Sequence, residues 1–272
     1  MLGSPIAHSL SPLLHRTAYD VLGLDWHYDA VDVTEEALEA FLSGLDPSWR
    51  GLSLTMPLKR AVLPLLAEVD ERVREAGAAN TVLRDADGRL HGHNTDVSGV
   101  VAAVRAHHSG AVERAVVVGG GATAASAILG LADLGCREVT LLVRDASRAA
   151  ETLAAAARHA SAPIVTVADL GAAVGETDVL VSTVPASAQA AVVSSVGGAG
   201  VVFDVVYDPW PTPLSRAASG AGATFVSGLD LLVHQAVDQV RLMTGREDVP
   251  LAAMRAAGER ALAARTGDIH SP

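Results

Sequence analysis

From about residue 112 onward the sequence alternates between short apolar, β-branched runs and longer helical stretches, and nothing else in it limits the possible folds as strongly. ERAVVVGG, EVTLLVR, PIVTVADL, DVLVSTVP, GVVFDVVYDP and ATFVSG read as strands, while ATAASAILGLADLG and SRAAETLAAAARHA read as helices. Strands that are apolar along their whole length need cover on both faces. A parallel sheet with helices on each side supplies it. The expected fold class is therefore α/β, with a doubly wound, Rossmann-like lobe in this part of the chain.

The chain has 272 residues, 50% of them apolar, a length at which one core gives way to two. The part before residue 97 is less regular. SPLLHRTAYDVLGL, EEALEAFLSGL and LKRAVLPLLAEV read as helices, WHYDAVDVT and WRGLSLTMP as strands. AANTVLRDADGRLHGHNTD reads as a hairpin turning at Asp87 and Gly88. Residues 229–266 are again mostly helical in pattern. Two lobes follow. Residues 1–97 plus 232–272 form an N-terminal α/β lobe completed by C-terminal helices, and 98–231 form the doubly wound lobe. A ligand cleft is expected between them, at the carboxyl ends of the parallel strands.

The charge balance narrows the partners. Twenty Lys and Arg against 31 Asp and Glu leave a net charge of −11, which repels phosphate backbones and anionic lipid. Neither nucleic acid nor a membrane is expected as a partner. Cys136 is the one cysteine, so no disulfide can form within the chain. No run reaches membrane-spanning length and no secretory leader is evident, so a cytoplasmic location is expected. No metal site is expected: His91 and His93 share a strand face without a third ligand nearby, and His107-His108 closes a helix. Cys136 reads as a small packed residue, and no G-x-S-x-G hydrolase turn is present.

VVVGGGATAAS carries the first functional signal. Gly119, Gly121 and Ala124 fit G-x-G-x-x-A between a strand and a helix. Gly119 permits the tight turn, and Gly121 leaves room for a pyrophosphate against the helix N-terminus. A glycine turn alone is a weak signal; its strand–turn–helix setting strengthens it. The next strand ends LLVRDASR. Val143 stands where an NAD enzyme places an acid for the ribose 2′-hydroxyl, followed by Arg144 and Arg148. Guanidinium groups suit a 2′-phosphate, so NADP is favoured over NAD. Asp145 would oppose that phosphate if it pointed inward.

Several polar residues in the first lobe have a structural reading beside a functional one. Lys59, in SLTMPLK, could be a solvated helix-start lysine after Pro57. Ser11 before Pro12 suits a helix N-cap, which leaves the Ser9 hydroxyl unexplained; the two together could clamp a carboxylate. Asn80 offers a bidentate amide at a strand start. Asp96 suits an N-cap for VSGVVAAVRAHH. Tyr207 closes a strand, and Gln235 lies on a late helix.

Taken in order, GSPIAHSLSP, GLSLTMPLK, GAANT, HNTD, GGGATA, YDPWPTPL, GLDLLVHQA and a final TG resemble the shikimate dehydrogenase family from Gly3 to about Gly245. The resemblance implies an NADPH-dependent reduction of 3-dehydroshikimate to shikimate, a step of aromatic amino-acid (chorismate) biosynthesis, by a monomer or homodimer. Lys59 and Asp96 would be the catalytic pair. Ser9 and Ser11 would bind the substrate carboxylate, with Tyr207 near it. Thr55, Asn80, Asp96 and Gln235 would bind ring hydroxyls. Gly119, Gly120, Gly121, Ala122 and Thr123 would line the pyrophosphate, Arg144 and Arg148 the 2′-phosphate, and Val205 and Gly228 the nicotinamide.

The chain departs from the family pattern in places. Ser53 stands where the family often has Asn, Val143-Arg144-Asp145 where it often has Asn-Arg-Thr, and STVPASA at 182–188 where it has Asn-Ala-Thr-Pro-x-Gly-Met. HR replaces HN at 15–16. Only Met1 and Leu2 precede Gly3, where the family has a strand, which suggests a truncated start. Two neighbouring readings remain: a quinate or aminoshikimate dehydrogenase, and a non-catalytic dinucleotide-binding sensor. Retention of both Lys59 and Asp96 argues against the sensor.

Overall fold

The computed structural model describes residues 1–267, and these divide into two compact units. The first comprises Met1–Thr95 and the chain from Leu232 onward; the second is Asp96–Leu231.

The first unit runs β1 (Leu2–Gly3), α1 (Ser11–Leu22), β2 (Val31–Asp32), α2 (Glu35–Ser43), β3 (Gly51–Ser53), α3 (Leu58–Ala61), β4 (Glu68–Val69), α4 (Glu71–Ala76), β5 (Thr81–Arg84) and β6 (Leu90–His93). Strands β3, β5, β6 and β4 form one sheet in that order, with β5 antiparallel to β3 and β6. β1 and β2 pair in parallel beside it, and Leu2 bridges to Leu54. The core of this unit is Leu2, Val33, Leu38, Leu52, Leu54, Leu58, Val62, Val73 and Val82. Gly88 takes the positive φ of the β5–β6 turn.

Two local readings are corrected. WHYDAVDVT contributes only the two paired residues of β2, while Tyr28 turns into the interior at 7% exposure. LKRAVLPLLAEV does not continue as one helix. Pro64, which has no N–H to donate, falls in a 3-10 turn at Leu63–Leu65, and the chain then becomes β4. Helix α4 follows, opened by the Asp70 carboxylate accepting from the Val73 N–H at 2.7 Å.

The second unit opens with α5 (Asp96–His107) and runs β7 (Arg114–Val118), α6 (Ala122–Asp133), β8 (Glu138–Val143), α7 (Ala150–Arg158), β9 (Ile164–Asp169), β10 (Thr177–Ser182), β11 (Ala199–Asp204), α8 (Pro213–Ala221) and β12 (Thr224–Val226). Its six strands are all parallel, in the order β12-β11-β10-β7-β8-β9. That is the Rossmann order, with the reversal of direction between β7 and β10. Alternation along each strand splits the apolar side chains between two cores. Ala115, Val117, Leu141, Val179, Val181, Val201 and Phe203 face one, and Val116, Val118, Leu142, Leu180 and Val202 the other. Two helices complete the chain, α9 (Gly228–Thr244) and α10 (Leu251–Gly267), and α10 packs on α1. Among the described residues no helix is long and apolar enough to cross a membrane.

His15, wholly buried on α1, donates from Nδ1 to the Ser11 carbonyl at 2.9 Å and stacks on Tyr28 at 4.0 Å between ring centroids. Burial lowers its pKa from 6.5 to about 3. The unfolded imidazole therefore binds a proton below about pH 6.5, and the folded one does not until about pH 3. Stability is untouched by this group above that window and falls as the pH drops through it, by at most about 5 kcal/mol. The urea midpoint is expected to decline more steeply from pH 6.5 to 5 in the native chain than in His15→Gln; equal slopes would refute the assignment.

Candidate active site

The glycine turn is built by its neighbours. Gly119 has φ +107°, a conformation side chains rarely adopt, and a Cβ there would lie 2.4 Å from Thr183 Oγ1. A Cβ on Gly120 would lie 2.7 Å from the Arg148 carbonyl oxygen. Thr152, buried on α7, donates its hydroxyl to the Gly120 carbonyl at 3.0 Å, and Thr183 donates to that of Val118 at 2.8 Å. Gly121 differs: nothing lies within 4 Å of where its Cβ would be. It is the N-cap of α6 and supplies no side chain to the first-turn N–H groups. Open space facing uncapped N–H donors fits a pyrophosphate, with Ala122 and Thr123 in that first turn.

The end of β8 fits a 2′-phosphate. Val143 is buried and carries no acceptor, while Arg144 and Arg148 are exposed. Asp145 is committed elsewhere: its carboxylate accepts from the Ser147 N–H at 2.9 Å as N-cap of a 3-10 turn. The Ser147 hydrogen bonds hold its pKa below the usual carboxylate value. Val205 and Gly228 meet through the backbone, since a Cβ on Gly228 would lie 2.4 Å from the Val205 carbonyl oxygen. Tyr207 follows β11 and is half-buried. The STVPASA stretch begins with Ser182 at the end of β10; its hydroxyl is buried and has no hydrogen-bond partner.

In the first unit the expected serine cap is corrected. Leu10 occupies the N-cap position of α1, Ser11 is its first residue, and Ser9 Oγ accepts from the Ser11 N–H at 3.2 Å. The Ser11 hydroxyl is thereby left buried and without a hydrogen-bond partner. A buried, unsatisfied hydroxyl costs about 1–3 kcal/mol, which a ligand oxygen would recover. Thr55 follows the strand that carries Ser53, and its backbone N–H donates to the Leu2 carbonyl at 2.9 Å. Gly3 must be glycine there, because a Cβ would lie 2.3 Å from Thr55 Cγ2. Lys59 is half-buried on α3, and its carbonyl accepts from the Ala79 N–H at 2.8 Å.

Asn80 and Gln235 are brought together. Asn80 is 1% exposed, and its Nδ2 donates to Thr95 Oγ1 at 2.9 Å and to Gln235 Oε1 at 3.3 Å. Its Oδ1 accepts from the Thr95 N–H at 2.8 Å. Asp96 follows at once. It is the first residue of α5 rather than its cap, and is 4% exposed. Sequence reasoning missed Thr95, which lies inside HNTD, and Gln239, which sits one helical turn after Gln235 on the same face of α9.

Three histidines outside these residues have structural partners. His91 bonds Asp85 at 2.8 Å, His93 bonds Asp70 at 3.0 Å, and His107 bonds Asp230 at 3.1 Å. Cys136 is 1% exposed, and burial pushes its thiol up to about 11, too high for a nucleophile.

A Rossmann unit with an open glycine turn and a paired-arginine strand end is the frame of a nicotinamide-dependent oxidoreductase. Three family models cover most of the chain: the shikimate dehydrogenase substrate binding domain over residues 1–82, shikimate / quinate 5-dehydrogenase over 102–197, and the shikimate 5′-dehydrogenase C-terminal domain over 228–257. The shikimate dehydrogenase (NADP(+)) of Synechococcus sp. (strain JA-3-3Ab) is 34% identical over 285 aligned positions, covering 100% of this chain and 96% of that one. The solved Mycobacterium tuberculosis shikimate dehydrogenase is 40% identical, with a TM-score of 0.85 and 97% of each chain covered. The Thermus thermophilus shikimate 5-dehydrogenase, solved with NADP(H) and shikimate, is 32% identical, with a TM-score of 0.80 over 96% of this chain and 97% of that one. The chain belongs to the shikimate dehydrogenase family.

Proposed function

We propose that the protein catalyses the reversible NADPH-dependent reduction of 3-dehydroshikimate to shikimate, with Lys59 and Asp96 as its catalytic pair. The observation that carries this reading is the retention of Lys59 and Asp96 within the family's motifs, beside a buried Asn80–Gln235 amide pair. The Ser11 hydroxyl, lacking a partner, would bind the substrate carboxylate together with Ser9, with Tyr207 near it. Asn80, Gln235 and Thr55 would hold ring hydroxyls. Gly119 to Thr123 would seat the pyrophosphate, Arg144 and Arg148 the 2′-phosphate, and Val205 and Gly228 would flank the nicotinamide. When bound, the reduced nicotinamide supplies a hydride to the ring carbonyl carbon. Lys59 then delivers a proton to the carbonyl oxygen, and Asp96 holds the ammonium and the adjacent hydroxyl in register. The substrate lobe would be 1–97 with 232–272 and the cofactor lobe 98–231. The same reading makes the enzyme cytoplasmic and a monomer or homodimer.

The test is an assay of purified protein with shikimate or quinate and NADP⁺ or NAD⁺, followed by absorbance of the reduced nicotinamide. NADP⁺ reduction with shikimate is expected to dominate. Preference for quinate would reassign the substrate, and no turnover by a folded, NADPH-binding protein would revive the sensor reading. Arg144→Ala is expected to raise the KM for NADP⁺ about tenfold and leave that for NAD⁺ within about twofold, because the guanidinium meets only the phosphate. Equal losses for the two cofactors would remove Arg144 from the phosphate site.

A further inference from the structure

A buried hydrogen-bonded chain runs behind Asn80. Tyr28 donates to Ser53 Oγ at 2.5 Å, and Ser53 donates to Gln239 Oε1 at 2.8 Å. Gln239 Nε2 donates to Thr81 Oγ1 at 3.0 Å and to the Asn80 carbonyl at 3.3 Å, and Thr81 donates to Asn80 Oδ1 at 2.9 Å. Tyr28, Ser53, Thr81, Asn80 and Gln239 are all buried.

Three backbone groups fix every direction in this chain. The Thr95 N–H can only donate, so the Asn80 atom it meets is oxygen. The Leu232 carbonyl can only accept, so the Gln235 atom 2.9 Å from it is Nε2, and Gln235 turns Oε1 to Asn80. The Asn80 carbonyl likewise requires Nε2 of Gln239 on its side, which turns Gln239 Oε1 to Ser53. Ser53 must then donate to Gln239 and accept from Tyr28, and Thr81 must accept from Gln239 and donate to Asn80. Both acceptor oxygens of the Asn80–Gln235 pair are thus already engaged from within the unit. Both Asn80 N–H groups are engaged as well, to Thr95 Oγ1 and Gln235 Oε1, and one of the two on Gln235 goes to the Leu232 carbonyl. The donor the pair has left for a ligand oxygen is therefore the second Nε2–H of Gln235.

We propose that Gln239, with Ser53 and Tyr28 behind it, is a positioning residue for substrate: through Thr81 it holds the Asn80 amide in the polarity the Thr95 N–H requires, and Asn80 in turn holds Gln235 Oε1, so that Gln235 presents its remaining Nε2–H to a ring oxygen. The inference rests on the reading of Asn80 and Gln235 as substrate ligands. It gives Ser53 a use that the family's usual Asn would not share in the same form, since a hydroxyl both accepts from Tyr28 and donates to Gln239. A chain of neutral donors in a dry interior also polarises along its length, so loss at one end weakens the other.

The experiment is a double-mutant cycle with shikimate kinetics. Gln239→Leu is expected to lower kcat/KM for shikimate about tenfold, mostly through KM, with the KM for NADP⁺ changed less than about twofold. Tyr28→Phe, which removes only the terminal donor, is expected to act in the same direction by about threefold and serves if Gln239→Leu does not fold. In an Asn80→Ala background both effects should vanish. Additive losses there, or equal changes in the KM values for shikimate and NADP⁺, would overturn the positioning role while leaving Asn80 as a ligand. No effect of Asn80→Ala itself would overturn the substrate reading and this inference with it.

Discussion

Replacing Lys59 with alanine is expected to lower kcat for shikimate oxidation by about 10²–10⁴-fold, the range that a positioned proton-transfer group supplies. Such a loss is readable as chemistry because α3 has backbone and apolar anchors that do not involve the lysine side chain. Its link to the strand start before Asn80 is a backbone bond, the Ala79 N–H to the Lys59 carbonyl at 2.8 Å, and Leu58 and Val62 are buried on either side. Alanine keeps all three, and it is the better helix former. NADPH affinity, measured by quenching or enhancement of nicotinamide fluorescence, should therefore stay within about twofold of the native value, since no cofactor contact is removed. Lys59→Arg separates charge from proton delivery. Its guanidinium keeps the positive charge but stays protonated, so it should remain near the alanine level. If Arg restored most of the rate, Lys59 would be an electrostatic group only. If NADPH affinity fell as far as turnover, it would not belong to the catalytic pair.

What the sequence disclosed depended on whether the cause was local. The Rossmann lobe was legible because each strand carries its own two-sided apolar pattern and because Gly119 to Gly121 lie between a strand and a helix. The order of the six strands was not legible in the same way, because right-handed crossovers allow more than one doubly wound order and only the folded unit shows which is taken. The helix expected after Lys59 was misread because its apolar spacing was weighed above Pro64. The cap of α1 was misread because Ser9, two residues back, reaches the Ser11 N–H and so occupies the role that Ser11-Pro12 suggests. Asp145, a doubtful neighbour for a phosphate in the sequence, is bound to Ser147, a contact two residues away that an Asx-type turn would have foretold. Gln239 could not be read at all. Its meaning comes from Ser53, 186 residues away, and from Thr81, 158 away, and only the folded unit brings them together.

Gly119→Ala is expected to be a strongly damaging single-methyl change in the second unit, because it fails in two independent ways. The native φ of +107° lies outside the region that L side chains adopt, at a cost of about 1–3 kcal/mol. The new methyl would also stand 2.4 Å from Thr183 Oγ1, and that hydroxyl is not free to retreat, since it donates to the Val118 carbonyl at 2.8 Å. The turn must shift, and it is the turn that leads into the uncapped N-terminus of α6. Stability should fall by about 2–4 kcal/mol in urea unfolding, the sum of strain and overpacking. NADPH affinity should fall more than tenfold, because donors displaced by a fraction of an ångström no longer meet a fixed pyrophosphate. The two causes can be separated in the double variant with Thr183→Ala. Removing the hydroxyl relieves the clash but leaves φ unchanged, so stability should recover in part and affinity should remain below native. Full recovery of both would mean that contact alone requires glycine at 119, and no recovery of either would assign the whole effect to the backbone.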